Sequence, residues 1–331
     1  MILTIIIVLA LVAGIIATRR NGDGVIKDFN ARRTLPLRGI AALMVVIYHV
    51  SCNVREVTAL NQFLCFGDMS VCLFFFISGY GLMISYINKG EDYLHGFVQH
   101  RFARLLPPFL IVAIGYEVYQ SFQAGHSTLD SLTAIAHGGT VLPDSWFVIT
   151  IMVYYLLFYA CARLFRKPAT VVLALWLASA GYIAMCYGLG WGNYWYKTAC
   201  AINVGFTYAL LEGEIKRCIT AHKGMLVWAS CAIAVAIIGL WATHVQLPIF
   251  YLMPLLVVAA VYAMGMWQSR VLDFLGTISY EIYLMQCIWR HKLFATASIH
   301  WSVYLVLTLL ITIVTAWLLH LLCKKLVNRG S

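Results

Sequence analysis

Apolar runs long enough to cross a bilayer as α-helices recur along the whole chain of 331 residues. A transmembrane helix needs about 20 mainly apolar residues, whereas a transmembrane β-strand shows alternating segments of about ten. The runs here are continuous, 62% of the residues are hydrophobic and only 11% are charged. These features predict an all-α polytopic membrane protein and exclude a water-soluble globular domain. We expect eleven spans, at about residues 1–18, 35–52, 66–87, 103–122, 146–162, 169–188, 198–213, 224–243, 248–267, 272–289 and 301–322.

The distribution of Lys and Arg predicts the orientation of these spans, because cytoplasmic loops carry an excess of both residues. With the N-terminus outside, 18 of the 23 Lys and Arg residues fall in inner loops or in the C-terminal tail, and Arg38 lies within a span. The other four lie in predicted outer loops, namely Arg55, Lys197, Arg290 and Lys292. We therefore expect a cytoplasmic C-terminus. The formal net charge of +10 then needs no nucleic-acid partner.

The first span is expected to be a retained helix, because it lacks the leading positive charge and the cleavage site of a signal peptide. Residues 1–34 are predicted to hold this helix and a cytoplasmic linker, and residues 35–331 one integral membrane domain. The ten cysteines include no CxxC pair, so no metal site is predicted. Cys52 and Cys65 flank a short loop, where two free thiols are preferred over a disulfide.

The second predicted span carries an arginine at its start and a histidine eleven residues later, in LRGIAALMVVIYHVSC. Eleven steps of about 100° bring Arg38 and His49 to within about 20° of the same helix face, about 16 Å apart along the axis. Charged and titratable side chains are costly to bury in a membrane, and they commonly mark functional sites there. This stripe is therefore the first candidate for a site.

Five stretches, in order along about 250 residues, resemble the family 3 membrane acyltransferases. They are LRGIAALMVVIYH, VCLFFFISGYGL, HRFARLLPPF, SWFVITIMVYYLLF and LDFLGTISYEIYLMQ. The last signature of that family often closes on histidine, where this chain has Gln286. The family core usually has ten helices, so the first span of this chain would be an addition to it.

The resemblance implies transfer of an acyl group, most often acetyl, from cytoplasmic acyl-CoA to a hydroxyl of a cell-envelope saccharide. The protein would lie in a bacterial cytoplasmic (inner) membrane, with acyl-CoA as co-substrate and no permanently bound cofactor. The alternative is an exporter of polysaccharides or small molecules from the same superfamily. Matching pairs of broken helices in two halves of the chain would favour export, and the prolines of this sequence form no such pairs.

The chemistry of acyl transfer gives roles to four of the residues in these stretches. A sugar hydroxyl needs a base within hydrogen-bond reach when it attacks a thioester, and an uncharged imidazole such as His49 accepts a proton near neutral pH. The structural alternative for His49 is a hydrogen bond to a neighbouring helix carbonyl. Arg38, Arg101 and Arg104 are expected near the inner face, where a guanidinium suits the CoA phosphates. For Arg101 and Arg104, a role in topology alone is an equal alternative.

Four further residues are candidates for substrate contacts. Glu281 would orient His49 or bind an acceptor hydroxyl, with a pairing that only fixes helix packing as its alternative. Trp146 and Tyr155 offer aromatic faces to a sugar or to adenine, although aromatic residues also form belts at membrane interfaces. Gln286 would hydrogen-bond the acceptor sugar.

The pair Ser78-Gly79 has a structural interpretation. Ser78 lacks the sharp strand-to-helix turn of a hydrolase nucleophile. A small residue such as Gly79 instead lets two membrane helices approach closely.

Overall fold

The computed structural model describes residues 2–21, 29, 34–124, 133–135, 137–222, 224–265, 269–296 and 300–327. Within these residues the chain is helical and contains no strand, which confirms the predicted all-α fold. The α-helices are α1 (Ile2–Asn21), α2 (Leu35–Asn53), α3 (Thr58–Asn61), α4 (Phe66–Lys89), α5 (Phe97–Ala124), α6 (Trp146–Phe165), α7 (Pro168–Gly188), α8 (Ala201–Ala221), α9 (Met225–Ala242), α10 (Leu247–Met264), α11 (Arg270–Thr277), α12 (Ser279–Thr296) and α13 (Trp301–Val327).

Among the described residues, nine helices are long and apolar enough to cross a membrane. The two predicted spans that do not meet this standard correspond to α8 and to α11 with α12. The second half of α8 carries four charged residues, Glu212, Glu214, Lys216 and Arg217. The predicted span 272–289 is divided at Ile278 into the short α11 and the more polar α12. The protein is thus a multi-pass membrane protein, and α8 and α12 are two long helices that do not meet this standard.

The chain forms two compact units, each built from separate stretches of sequence. The first unit comprises Met1–Ile84 and Ala201–Thr277, and the second comprises Ser85–Cys200 and Ile278–Ser331. The predicted boundary at residue 34 separates the first helix and its linker from the membrane domain. That is a different division of the chain, and it stays a prediction. The helix α1 belongs to the first unit, where it packs against α9 and α10.

In the first unit, α4 and α8 come unusually close at two glycines. A Cβ atom at Gly79 would lie 2.1 Å from the carbonyl oxygen of Ile202, and one at Gly205 would lie 2.2 Å from that of Phe76. Real Cβ atoms do not approach backbone this closely, so each position requires glycine. The prediction that Gly79 permits close helix packing is confirmed.

In the second unit, α12 and α13 form the most extensive helix pair, and they run antiparallel. Trp289 Nε1 donates to Thr315 Oγ1 at 2.9 Å. Glu281, which is nearer the start of α12, contacts His320, which is nearer the end of α13. The same α12 also contacts α5, and α5 contacts α6. In the second unit α12 therefore packs against both α13 and α5.

The prediction that Arg290 lies in an outer loop is wrong. The helix α12 continues past Gln286 to Thr296, and Arg290 is buried within it with 6% of its surface exposed. An ion pair with Asp144 compensates the charge. Buried charges in proteins are normally paired in this way.

Candidate functional site

The first candidate site lies on α2, in the first unit. Arg38 and His49 fall in one uninterrupted helix, and both are half-buried. Eleven residues of α-helix separate them by about 16 Å along the axis and leave them on one face. The ring of His49 lies 4.7 Å from the ring of Tyr48, measured between centroids. The predicted stripe of a cation and an imidazole on one helix is present.

The end of α2 that carries Arg38 is fixed against α11 by glycine contacts. A Cβ atom at Gly276 would lie 2.0 Å from the carbonyl oxygen of Leu35, and one at Gly39 would lie 2.7 Å from that of Leu272. Backbone packed this closely leaves little freedom for the helix to slide or tilt. Arg38, next to Gly39, is therefore presented from a rigid element, as a binding site requires.

A buried carboxylate that the sequence analysis did not single out lies on α8 of the first unit. Glu212 is 6% exposed, and its Oε1 lies 3.0 Å from Lys216 Nζ. The hydroxyl of Tyr262 donates to Glu212 Oε1 at 3.2 Å and also bonds to the hydroxyl of Tyr208, while the Tyr80 hydroxyl lies 3.1 Å from Glu212 Oε2. Glu212 could have been identified from the sequence, because it is a carboxylate within the predicted span 198–213. The same kind of signal identified Glu281.

In the second unit, Arg101 is held by aromatic side chains. Its guanidinium carbon lies 5.5 Å from the centroid of the Tyr155 ring and 5.6 Å from that of Phe97, and it donates to the hydroxyl of Tyr93. Two predicted site residues, Arg101 and Tyr155, are thus in contact. Arg104, one turn further along α5, is exposed. The two arginines of the Arg-x-x-Arg motif therefore have different surroundings.

Glu281 has a partner in the second unit that the sequence analysis did not consider. Its Oε1 lies 2.8 Å from Nδ1 of His320 on α13, and Glu281 is buried. Tyr280, its neighbour, donates to the carbonyl oxygen of Leu105 on α5 at 2.9 Å. The contact that the structure gives to Glu281 is a pairing between α12 and α13, whereas the predicted contact with His49 stays a prediction.

A second polar group of the second unit surrounds Asp144, just before α6. Arg290 donates to the carboxylate of Asp144, and the hydroxyl of Tyr283 donates to its backbone carbonyl. Asp144 has a positive φ of 61°, a region that residues other than glycine seldom adopt, although aspartate does so more readily than most. Gln286 lies between Tyr283 and Arg290 on the same face of α12.

Trp146 begins α6 beside this group. It is half-buried, and its ring centroid lies 6.1 Å from that of Tyr194 and 6.3 Å from that of Phe147. The predicted residues therefore fall into two sets. Arg38 and His49 belong to the first unit, and the other six belong to the second: Arg101, Arg104, Trp146, Tyr155, Glu281 and Gln286.

Comparison with known proteins agrees with these helices and motifs. The profile of the family described as "Acyltransferase domain" matches residues 37–321, from the start of α2 almost to the end of α13. The chain belongs to this acyltransferase family. The resemblance stated from the sequence motifs is confirmed. No curated protein and no solved structure matches the acyltransferase significantly.

Proposed function

We propose that this acyltransferase moves an acyl group, acetyl in the first instance, from cytoplasmic acyl-CoA to a hydroxyl of a cell-envelope saccharide. The observation that carries the proposal is the placement of Arg38 and His49 on one face of the continuous helix α2, within the region that matches the family. Charged and titratable side chains in a membrane helix cost free energy, and the proposed acyl transfer gives a role to both Arg38 and His49. The proposed setting is the bacterial cytoplasmic membrane, with the C-terminus in the cytoplasm.

In this mechanism His49 acts as the general base. The acceptor hydroxyl attacks the thioester carbonyl, His49 takes the hydroxyl proton, and the tetrahedral intermediate then collapses with cleavage of the carbon–sulfur bond. The proton that His49 took passes to the sulfur, so that CoA leaves as a thiol, His49 is again neutral and the acyl group is an ester of the saccharide. Proton transfer by a positioned side chain contributes about 10²–10⁴-fold to a rate.

The arginines hold the donor in the proposed mechanism. Arg38 lies about 16 Å from His49 along α2, so that a phosphate bound at Arg38 leaves the CoA arm to reach along the helix toward the imidazole. A guanidinium binds phosphate oxygens in a bidentate manner, which favours arginine over lysine at this position. Arg104, which is exposed, and Arg101 are proposed to contact the nucleotide part of acyl-CoA.

The direct test is transfer of label from radiolabelled acetyl-CoA to saccharide in membranes that contain the full chain. His49→Ala is expected to reduce transfer by about 100-fold or more at matched expression. His95→Ala is the matched control, because His95 is exposed in the turn before α5. Equal transfer by the His49→Ala variant would exclude this base. Absence of transfer by the unmodified protein, together with saccharide transport into vesicles, would establish export instead.

A further inference from the structure

The second unit buries a group of polar atoms that have no hydrogen-bond partner within the part of the chain that the structure describes. They are Ser145 Oγ, Gln286 Oε1, Gln286 Nε2 and Arg290 Nε. The three side chains belong to residues with 1%, 0% and 6% of their surface exposed, respectively. We call Asp144, Ser145, Tyr283, Gln286 and Arg290 the Asp144 cluster.

The Asp144 cluster is held together by contacts to Asp144 itself. Arg290 donates to its carboxylate and Tyr283 to its carbonyl oxygen, so both side chains of α12 point toward the start of α6. Ser145 is the next residue along the chain. Gln286 is three residues after Tyr283 and four before Arg290, which places it on the same face of α12. The unpaired atoms therefore belong to the two segments that the contacts with Asp144 join.

Unpaired buried polar groups are unusual in proteins, because each loses its hydrogen bonds with water without replacement. A buried amide with neither its oxygen nor its nitrogen bonded is the clearest case in this unit, since an apolar side chain of similar size would avoid the cost. A bound ligand that supplies both donors and acceptors would remove that cost. The cluster thus has the properties of a polar binding site.

The chemistry of the cluster distinguishes between classes of ligand. The carboxylate of Asp144 neutralises the guanidinium of Arg290, so the pair carries no net charge. Ser145 and Gln286 each offer both a donor and an acceptor, which matches a hydroxyl group. An anionic group would instead face the carboxylate of Asp144 and the amide oxygen of Gln286. Trp146, the residue after Ser145, adds a half-buried aromatic ring of the kind that packs against the face of a sugar.

We propose that the Asp144 cluster binds the hydroxyls of a neutral saccharide, the class of acceptor named in the proposed function. The choice of a saccharide rests on that proposed function, whereas saccharide binding can be measured without any transfer. Gln286 is the principal contact in this proposal, since both polar atoms of its fully buried side chain are unpaired within the described residues. Ser145 supplies a second hydrogen bond from the segment that leads into α6.

The binding experiment uses the full chain in detergent and saturation-transfer NMR. The neutral probes are the methyl glycosides of glucose, galactose, mannose and N-acetylglucosamine. The anionic probes are the methyl glycosides of glucuronic, galacturonic and mannuronic acid, which we call the hexuronides. We expect saturation of at least one neutral glycoside, little saturation of the hexuronides, and loss of the neutral signal in Gln286→Leu and Ser145→Ala. Thr312→Val is the matched control, because the Thr312 hydroxyl on α13 is also buried without a partner among the described residues.

A retained signal in both cluster variants, or binding of hexuronides alone, would overturn the proposal. So would the absence of binding by all four neutral glycosides, which would mean that the cluster holds solvent only. A folding defect in Gln286→Leu would appear as a lower thermal unfolding temperature in detergent, and Gln286→Asn, which keeps the amide, is expected to retain more binding than Gln286→Leu.

The transfer experiment separates this inference from the proposed function. If transfer occurs, Gln286→Leu is expected to raise the KM for the saccharide about tenfold, as for the loss of hydrogen bonds worth about 1.4 kcal/mol, and to leave the KM for acyl-CoA unchanged. An unchanged saccharide KM would contradict the inference and leave the acyltransferase proposal intact. Saccharide binding that depends on Gln286 in a protein without transfer would support the binding site and contradict the proposed function.

Discussion

Nδ1 of His320 lies 2.8 Å from Oε1 of Glu281, and this contact joins α13 to α12 within the second unit. Glu281 is buried, and His320 keeps 29% of its side chain exposed. The carboxylate therefore already has a hydrogen-bond partner in its own unit. Its first role is to fix the two helices that form the most extensive pair in that unit.

Loss of the His320 imidazole should destabilise the second unit. His320→Phe leaves the Glu281 carboxylate buried without this partner, and we expect a loss of about 1–3 kcal/mol in the free energy of unfolding. Thermal unfolding in detergent measures the effect. His300→Phe is the control, since His300 is exposed and its imidazole bonds to the nearby Ser302. Equal stability of the two variants would mean that the contact contributes little.

The two glycines between α4 and α8 make a sharp prediction about stability. Gly79→Ala places a methyl group 2.1 Å from the carbonyl oxygen of Ile202, so that the helices must separate. We expect a loss of about 1–3 kcal/mol, as for other overpacked sites. Gly81→Ala, two residues further along α4, meets nothing within 4 Å and should be tolerated. Comparable unfolding temperatures for the two variants would contradict the close packing.

Arg101 and Arg104 should respond differently to the same substitution. Arg101→Lys loses the contacts of the guanidinium with the rings of Tyr155 and Phe97, and the expected loss of stability is about 0.5–2 kcal/mol. Arg104→Lys is expected to leave stability within about 0.5 kcal/mol, because Arg104 is exposed. If the proposed function holds, the Arg104 variant should mainly raise the KM for acyl-CoA. Unfolding curves and acyl-CoA titrations of the Arg101→Lys and Arg104→Lys variants decide, for each arginine, between a structural role and a role in donor binding.

Removal of the Asp144 carboxylate should be costly, because it leaves the Arg290 guanidinium buried without its ion-pair partner. The expected loss for Asp144→Ala is about 3–5 kcal/mol. Alanine is also less well accommodated than aspartate at a φ of 61°. Asp92→Ala serves as the control, because Asp92 is exposed in the 3-10 helix Gly90–Leu94. The pairing would be judged unimportant if the Asp144 variant unfolded at the same temperature as the control.

Arg38→Lys tests whether the guanidinium of α2 binds the donor. Lysine keeps the charge and loses the bidentate geometry, so we expect about a tenfold rise in the KM for acyl-CoA and a smaller change in kcat. The saccharide KM should stay unchanged. The matched control is Arg55→Lys, in the exposed turn after α2. A fall in kcat alone would place Arg38 at the reacting atoms instead of at the phosphates.

The helices could be predicted from the sequence because their signal is local. A continuous apolar run and a spacing of eleven residues are enough to place Arg38 and His49 on one face of α2. The break at Ile278 was not predicted, since hydropathy averaged over a span does not resolve a short interruption of the helix within it. Arg290 was assigned to a loop for a different reason, since the apolar run ends before this charged residue although the helix continues past it.

The pairings of polar residues could not be predicted, because their partners are distant in sequence. Glu281 and His320 are 39 residues apart, and Asp144 and Arg290 are 146 residues apart. A single sequence shows that a buried carboxylate needs a partner, but it does not show which one. Glu212 illustrates the limit, since its contacts come from α8 itself, from Tyr80 of α4 and from Tyr262 of α10.

The division of the chain at Ile84, Cys200 and Thr277 has a consequence for biosynthesis. The first unit begins with residues made early and needs Ala201–Thr277 to be complete, while the second unit needs Ile278–Ser331. Neither unit can finish folding as its own first helices leave the ribosome. The helix that carries His49 therefore lacks part of its packing surface until more than half of the polypeptide has been translated.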